Sequence, residues 1–173
     1  MSVHIIIDGY NLIRQSSQWS MLDLQDMQLG REALLSALAE YKKKRAHRIT
    51  VVFDAADVPG FMDRNEKVRG ISVKYSAPGE SADTLIKRMV KQLGEKALVV
   101  SSDRDIADYA FGRGATVIGS PDFEMKISMA VFGGPGDGDD GEATGWTPTT
   151  RKKGPGRRLP KRRRRNLSKI GKL

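Results

Sequence analysis

The stretch IIIDGYNLI, residues 5–13, begins as a buried strand and then changes character. Ile5, Ile6 and Ile7 favour the middle of a sheet, because β-branched side chains pack well on a pleated surface. They are followed at once by Asp8, a glycine, a tyrosine and Asn11. Polar side chains directly after an apolar strand are typical of a ligand-binding strand end. The alternative is that Asp8 only caps a short helix that follows it.

The rest of the chain extends this strand into an α/β pattern. Strands are predicted at 3–7, 49–53, 71–75, 97–100 and 116–118. Helices are predicted at about 31–44, 82–93, 102–111 and 121–131, whereas residues 22–26 are ambiguous. The strands are apolar throughout, and helices separate most of them, which indicates a parallel sheet covered on both faces.

Composition excludes several classes of site. The chain has no cysteine and only two histidines, so we expect neither disulfides, thiolate zinc sites nor histidine-rich metal sites. A bound metal would have oxygen ligands, which favours magnesium, manganese or calcium. There is no signal peptide pattern and no apolar run approaching 18 residues. We therefore expect a soluble, cytoplasmic protein without membrane contact.

Positive charge is concentrated at the end of the chain. Residues 1–132 contain 18 Lys/Arg and 17 Asp/Glu, whereas residues 133–173 contain 12 and 4. The second segment begins with glycine, proline and aspartate and offers almost nothing apolar to bury. We therefore predict one domain over 1–132, followed over 133–173 by a Gly-rich linker and a disordered basic tail.

Acidic residues follow several of the predicted strands. Asp8, Asp54 and the pair Asp103 and Asp105 each follow a different strand, and Asp83 begins a helix on the same rim. Because parallel strands end at one edge of a sheet, these acids are expected to lie close together. Two carboxylates about 4 Å apart repel by roughly 4 kcal/mol at an effective dielectric near 20, so such a pocket needs a counter-charge. A divalent cation is the simplest candidate, and it would also bind a phosphate.

Each acid also has an alternative explanation that requires no ligand. Asp54 fits a turn, and Asp83 at a helix start is favoured by the helix dipole. Ser102 and Asp105 match a capping box, in which Asp105 only binds backbone amides. The argument for a site rests on the convergence of all these positions.

Four segments together resemble a known family. They are IIIDGYNLI, VVFDA, VKYSAPGESADTLIKRMV and LVVSSDRDIADYAFGRGATVI, in this order over about residues 3–131. They are similar to the YacP-like branch of NYN domains, within the PIN-like nuclease superfamily. Neither GxGxxG nor a P-loop pattern follows a strand, which disfavours the dinucleotide-binding and NTPase classes of the same layout.

The resemblance implies a Rossmann-like three-layer sandwich with a central parallel sheet. It also implies a Mg²⁺- or Mn²⁺-dependent endoribonuclease, whose partner is RNA (messenger or ribosomal) and in some relatives the ribosome. By the family pattern Asp8, Asp83 and Asp103 map onto the acidic metal site, with Asp105 as a fourth member and Asn11 in the catalytic signature. Asp54 maps to a strand-end acid near the same pocket. The family pattern does not extend to the tail.

Basic residues are the candidates for contact with RNA phosphates. The candidates are Lys87, Arg88, Arg151, Lys152, Lys153, Arg157, Arg158, Lys161, Arg162, Arg163, Arg164 and Arg165. The tail has no aromatic residue between 151 and 173, so we expect it to raise affinity without selecting sequence. A solubilising tail and a solvated helix face around Lys87 are the alternatives.

Two other functions compete with the nuclease. A non-catalytic RNA-binding module would use the tail for affinity and the acids for a structural ion. A phosphatase or nucleotide-processing enzyme would use the same pocket, but such enzymes commonly carry D-x-D after the first strand. Here that position reads Asp-Gly-Tyr-Asn, which lacks the second acid.

Overall fold

The computed structural model describes residues 3–57, 64–133 and 160–173, which form an α/β domain. The strands are β1 His4–Asp8, β2 Arg48–Phe53, β3 Asn65–Val68, β4 Ile71–Tyr75, β5 Ala97–Val100 and β6 Thr116–Ile118. The helices are α1 Gly9–Gln15, α2 Ser17–Gln25, α3 Met27–Lys44, α4 Ala82–Leu93, α5 Arg104–Gly112, α6 Ser120–Phe132 and α7 Lys161–Gly171. Short 3₁₀ turns cover Ala55–Asp57 and Gly94–Lys96.

The strands form one sheet in the order β3-β4-β2-β1-β5-β6. Every pairing is parallel except that of β3 with β4. The sheet order changes direction around β1, which pairs with β2 on one side and β5 on the other. Ligands bind at the carboxyl ends of strands at such a switch point, and Asp8 is the last residue of β1.

Helices cover both faces of the sheet, which confirms the three-layer prediction. Ile5 and Ile7 pack on one face with α1, α2, α3 and α6. Ile6 packs on the other face with α4 and α5. All three isoleucine side chains are completely buried, as a central strand between two helical layers requires.

Two regions contain elements that the sequence pattern did not reveal. Asn65–Val68 forms the antiparallel edge strand β3, which its polar sequence NEKV does not predict. The ambiguous segment 22–26 contains the end of α2 and Asp26, which caps α3. The helix α3 begins at Met27 rather than near Arg31. Neither region has a strong apolar period, so both depend on packing against the rest of the domain.

The last fourteen residues contradict the prediction of a disordered tail. Residues Lys161–Gly171 form α7, which lies beside the edge strand β6. Leu173 is buried, and its carbonyl accepts a hydrogen bond from the Tyr41 hydroxyl at 2.9 Å. Lysine and arginine are good helix formers, and Ile170 and Leu173 supply the apolar contacts that anchor this helix.

Polar contacts fix α7 to the domain as well. Arg165 pairs with Glu95 at 3.3 Å, and the Thr116 hydroxyl donates to Asn166 Oδ1 at 3.1 Å. The guanidinium of Arg162 stands 4.1 Å from the centre of the Phe111 ring. The boundary near residue 132 does mark the end of α6, but the chain that follows returns to the domain. Residues 134–159 lie outside the described residues. They contain the predicted Gly-rich linker and the first part of the predicted tail, with Arg151, Lys152, Lys153, Arg157 and Arg158.

No helix among the described residues is both long enough and apolar enough to span a membrane.

Candidate active site

The predicted acidic residues lie along the carboxyl edge of the sheet. Asp8 ends β1, Asp103 follows β5, and Asp83 lies in the first turn of α4. The negative charges of Asp103 and Asp83 both act on the Asp8 carboxyl, since they raise its pKa. The three side chains therefore share one electrostatic environment, although they come from separate segments.

Asp8 is held by hydrogen bonds from two directions. The backbone N–H of Asn11 donates to Asp8 Oδ1 at 3.4 Å, so Asp8 does cap the short helix α1. The Ser101 hydroxyl donates to Asp8 Oδ2 at 3.3 Å, and Ser101 Oγ accepts from the backbone N–H of Asp103 at 3.1 Å. Ser101 therefore links the ends of β1 and β5, and Asp8 is both a cap and a member of the acidic edge.

The environment of Asp8 disfavours its charge. Burial is the main cause and raises the pKa of Asp8 from 3.8 to about 6. The hydrogen bonds from Asn11 and Ser101 lower that pKa, and the nearby charges of Asp103 and Asp83 raise it further. An acid that ionises only near neutral pH is typical of a functional position.

Asp103, rather than Ser102, caps α5. Asp103 Oδ1 accepts from the backbone N–H groups of Asp105 at 2.8 Å and Ile106 at 3.3 Å. The predicted capping box of Ser102 and Asp105 is therefore wrong, because Ser102 Oγ instead accepts from the Ser120 N–H at 3.0 Å. Asp105 is left with a side chain that is 78% exposed and directed toward α4.

Asp83 and Asp105 share a lysine. Lys87 Nζ lies 3.0 Å from Asp83 Oδ2 and also forms a close ion pair with Asp105 Oδ2. The hydrogen bonds to Asp105 and then to Asp83 raise the pKa of Lys87, which keeps the ammonium charged. Asp83 Oδ1 is buried and has no hydrogen-bond partner among the described residues. The counter-charge between these two acids is thus a residue of the chain itself.

The hydrogen-bond partners of Asp54 differ from those of the other acids. Its Oδ1 accepts from the Ala56 N–H at 3.0 Å and from the Ser76 hydroxyl at 3.4 Å. Its Oδ2 accepts from the Ala82 N–H at 3.4 Å, at the start of α4. Asp54 therefore ties the end of β2 to the start of α4, which is the turn role considered as its alternative.

Asn11 holds three segments together. Its Oδ1 accepts from the Ser102 N–H at 2.9 Å and from the Ser120 hydroxyl at 2.7 Å. These bonds join α1 to the segment after β5 and to the start of α6. Because these two hydrogen bonds use both lone pairs of the amide oxygen, Asn11 does not have a free lone pair for a metal. Its side chain instead holds the segments of the acidic edge in place.

Gly9, the first residue of α1, lets the helix pack closely against Phe53. A Cβ atom at this position would stand 2.3 Å from the Phe53 ring, which is fully buried. The Phe53 ring in turn packs against the rings of Tyr10 and Tyr75, with centroids 5.0 Å and 6.0 Å away. The glycine of the sequence signature is therefore required by packing beneath the acidic edge.

The donor set fits a hard divalent cation, but the side chains are not gathered as a complete cage. All candidate ligands are carboxylate oxygens, and Asp83 Oδ1 is a buried oxygen without a partner in the described ranges. Over 3–57, 64–133 and 160–173, no three side chains of His, Cys, Asp or Glu stand close enough together to hold one ion. The acids are instead linked in pairs, Asp8 with Asp103 through Ser101 and Asp83 with Asp105 through Lys87.

Comparison with known proteins identifies the family. The model of the YacP-like NYN domain matches residues 5–170. The chain belongs to the YacP-like NYN domain family. This family lies within the PIN-like nuclease superfamily, so the domain is of nuclease type. The match reaches into α7, and the basic tail is therefore part of the family domain.

Relatives from Bacillus subtilis support the assignment. The chain is 30% identical to the uncharacterized protein YacP over 114 residues, which are 64% of this chain and 66% of YacP, just under two thirds. The crystal structure of Rae1 (YacP) superimposes with a TM-score of 0.61 at 28% identity, over 75% of each chain. The structure of a tryptophan-to-leucine mutant of Rae1 gives a TM-score of 0.63 at 24% identity, over 74% of this chain and 76% of the other. These likenesses confirm the predicted fold and the predicted family.

The sequence did not reveal the hydrogen bonds that buried serines form along the acidic edge. Ser76, Ser101 and Ser120 are each at most 2% exposed, and each bonds to an acid or to Asn11. Their only sequence signal is that each directly follows a strand or opens a helix, which is equally typical of ordinary caps.

The two predicted RNA contacts on α4, Lys87 and Arg88, form ion pairs within the chain. Lys87 binds the two acids, and Arg88 pairs with Glu80 at 2.6 Å. Of the predicted tail contacts, Arg163 and Arg164 are exposed on α7, as are Lys161, Arg162 and Arg165. Contact of these residues with RNA stays a prediction.

Proposed function

We propose that this chain is a Mg²⁺- or Mn²⁺-dependent endoribonuclease that hydrolyses RNA phosphodiester bonds. The observation that supports the proposal is that Asp8, Asp83 and Asp103 lie along the switch-point edge of a PIN-like nuclease domain, where the charges of Asp103 and Asp83 raise the pKa of Asp8. A metal-dependent nuclease needs an acidic pocket because carboxylates hold the divalent cation. That cation neutralises the negative charge of the attacked phosphodiester. Catalysis by a histidine is not required in this arrangement.

The residues along the acidic edge would have different roles in catalysis. Asp8, Asp83 and Asp103 would hold the metal, with Asp105 as a further ligand or as the residue that orients water. A bound Mg²⁺ or Mn²⁺ would supply a water of lowered pKa and neutralise charge on the phosphodiester. Ser101 orients Asp8 against Asp103, and Asn11 fixes the segments that carry Ser102 and Ser120. Asp54 accepts hydrogen bonds from backbone amides, including one at the start of α4. It would therefore contribute by holding α4 in position rather than by binding the metal.

The proposed partners follow from charge and family. The exposed arginines of α7 form a basic surface that would neutralise phosphates of messenger or ribosomal RNA. The ribosome is a further proposed partner, which cosedimentation with purified ribosomes at increasing salt would test. We propose that the protein acts on this RNA in the cytoplasm.

The deciding experiment compares the full chain with two aspartate variants. The wild type is incubated with RNA in Mg²⁺, in Mn²⁺ and with a chelator, alongside Asp8→Asn and Asp108→Asn. Asp108 is exposed on α5 and serves as a matched control away from the acidic edge. We expect metal-dependent cleavage by the wild type and by Asp108→Asn, and its loss in Asp8→Asn. Equal cleavage by Asp8→Asn would remove the assignment.

A second function is favoured by one observation. The described residues contain no group of three potential ligands close enough for one ion, which suits a non-catalytic RNA-binding module. Under that reading the wild type would bind RNA without cleaving it in any metal. Binding unchanged by Asp83→Asn, with no products at any time, would establish this alternative.

A further inference from the structure

Lys87 occupies the place between acids at which a cation is expected. Its ammonium contacts Asp83 Oδ2 at 3.0 Å and also binds Asp105 Oδ2. Asp83 belongs to α4 and Asp105 to α5, so the lysine connects two helices at the acidic edge. The spacing of Lys87 four residues after Asp83 brings both onto one side of α4.

Other contacts restrict the same side chain. The ammonium of Lys87 stands 5.7 Å from the centre of the Tyr109 ring on α5, within cation–π range. The side chain is only 22% exposed, unlike a freely solvated lysine. Lys91, one turn further along α4, is exposed and forms no salt bridge within the described part of the chain. The placement of Lys87 is therefore specific to its position beside the acids.

An ammonium at this point and a divalent cation use the same oxygens. Asp83 offers Oδ2 to Lys87, while its buried Oδ1 has no partner among the residues described. Asp105 likewise offers Oδ2 to Lys87. A metal ion bound by Asp83 and Asp105 would lie beside the Lys87 ammonium. The two positive charges repel each other, which disfavours simultaneous binding of metal and ammonium.

We propose that Lys87 is a built-in counter-cation, which competes with the divalent metal for Asp83 and Asp105. Without metal, the ammonium neutralises the acids and keeps α4 and α5 together. When metal binds, the ammonium leaves these carboxylates. This inference rests on the proposed function, because it takes the acidic edge to be a metal site, and it adds that Lys87 sets the affinity of that site.

The test measures metal binding without RNA, so that it does not depend on cleavage. Mn²⁺ is titrated into the full chain and followed by calorimetry and by the electron paramagnetic resonance of free Mn²⁺. The proteins are the wild type, Lys87→Met, Lys87→Arg, Asp83→Asn and the charge-matched control Lys91→Met. Circular dichroism verifies folding, and Lys87→Gln replaces Lys87→Met if the latter is not folded.

We expect Lys87→Met to bind Mn²⁺ at least tenfold more tightly than the wild type. Lys87→Arg, which keeps the charge, should bind no more tightly than the wild type. Lys91→Met should stay within about twofold, because an exposed charge further along α4 is screened by salt. A second measurement follows the ¹³Cε signal of Lys87 in the wild type, which should move toward that of free lysine as Mg²⁺ is added.

The outcomes separate this inference from the proposed function. If the wild type binds Mn²⁺ and Asp83→Asn does not, but Lys87→Met equals the wild type, the competition is refuted and the metal site stands. Weaker binding by Lys87→Met would refute it in the same way. If neither the wild type nor Lys87→Met binds Mn²⁺, the metal-dependent function itself fails, and the inference with it.

Discussion

Asp8 has a structural role as a helix cap and is also a member of the proposed active site. It caps α1 through the Asn11 N–H, and its half-buried carboxyl lies near other acids. An acid whose pKa is raised in the folded state destabilises the fold once it ionises. The fold therefore tolerates Asp8 at neutral pH at the expense of stability, as is common at functional sites.

Stability should depend on pH through Asp8. Its pKa is 3.8 in an ordinary setting and about 6 in the folded chain, so its destabilisation is absent at low pH and complete above its folded pKa. The full effect is at most about 3 kcal/mol of unfolding free energy. Asp8→Asn removes this dependence, so the stability of the variant relative to the wild type should rise from pH 4.5 to pH 8. Urea unfolding at both pH values measures the difference. An unchanged difference would contradict the raised pKa, and Asp108→Asn is the control.

Asn11 should act through position rather than through metal binding. Asn11→Ala leaves the Ser102 N–H and the Ser120 hydroxyl without their acceptor, which should cost about 1–3 kcal/mol of unfolding free energy. Asn11→Asp keeps an acceptor oxygen and should recover much of this loss. Chemical denaturation compares the three proteins. Equal stability of Asn11→Ala and the wild type would exclude the positioning role.

At the residue scale, the sequence predicted which acids lie along the edge of the sheet, but not which partners bind each of them. The strand ends located Asp8 and Asp103 because parallel strands finish at one edge. The partners of those acids depend on residues distant in sequence, such as Ser101 for Asp8 and Lys87 for Asp105. Nothing local distinguishes Lys87 from Lys91, because only the position of α5 brings one of them beside Asp105.

Among the elements, α1 is shaped by the contact between Gly9 and Phe53. Gly9→Ala would place a methyl group 2.3 Å from the Phe53 ring, so the ring or the helix must move. We expect a loss of about 1–3 kcal/mol in unfolding free energy, typical of overpacking. Phe53→Leu provides space, so the double variant should be less destabilised than the sum of the single ones. Additive losses in a denaturation cycle would show that the two positions do not interact.

The helix α7 should stabilise the whole domain. Leu173 is 3% exposed and packs in the main core, so Leu173→Ala should cost roughly 2–5 kcal/mol of unfolding free energy. Leu167 is exposed on the same helix, and Leu167→Ala is the matched control with a small effect. Thermal or urea unfolding separates the two variants. If both leave stability unchanged, α7 does not contribute to the fold.

The elements that sequence reasoning found and missed differ in their physical origin. Strands such as β1, β2 and β5 are apolar throughout, so burial alone identifies them. The polar strand β3 exists because β4 offers it an antiparallel edge. The helix α7 was missed because its composition is that of a disordered arm, while two apolar residues at its end find a place in the core.

At the scale of the whole molecule, basic and acidic surfaces occupy different regions. The acids lie at the carboxyl ends of the strands. The helix α7 instead contacts Glu95, just before β5, and Thr116 at the start of β6. An RNA that touched both would extend past the β6 edge, so α7 would add affinity at a distance from the scissile bond.

The basic surface of α7 should be measurable as a salt effect. Arg163 and Arg164 are exposed, and replacing both by glutamine removes two potential phosphate contacts. The slope of log affinity against log salt should fall by about 1.4 for single-stranded RNA, and affinity should decrease for all sequences alike. Arg48→Gln combined with Lys91→Gln is the charge-matched control. An unchanged slope in filter binding would remove α7 from the RNA interface.

The two outer strands of the sheet have a consequence for self-association. An outer strand with free backbone groups invites a second molecule to extend the sheet, and proteins resist this with charges or with a covering element. Here β3 carries Glu66 and Lys67, while α7 lies alongside β6. Loss of α7 would leave β6 open to strand addition, so shortened forms of this protein should aggregate at concentrations where the full chain stays dispersed.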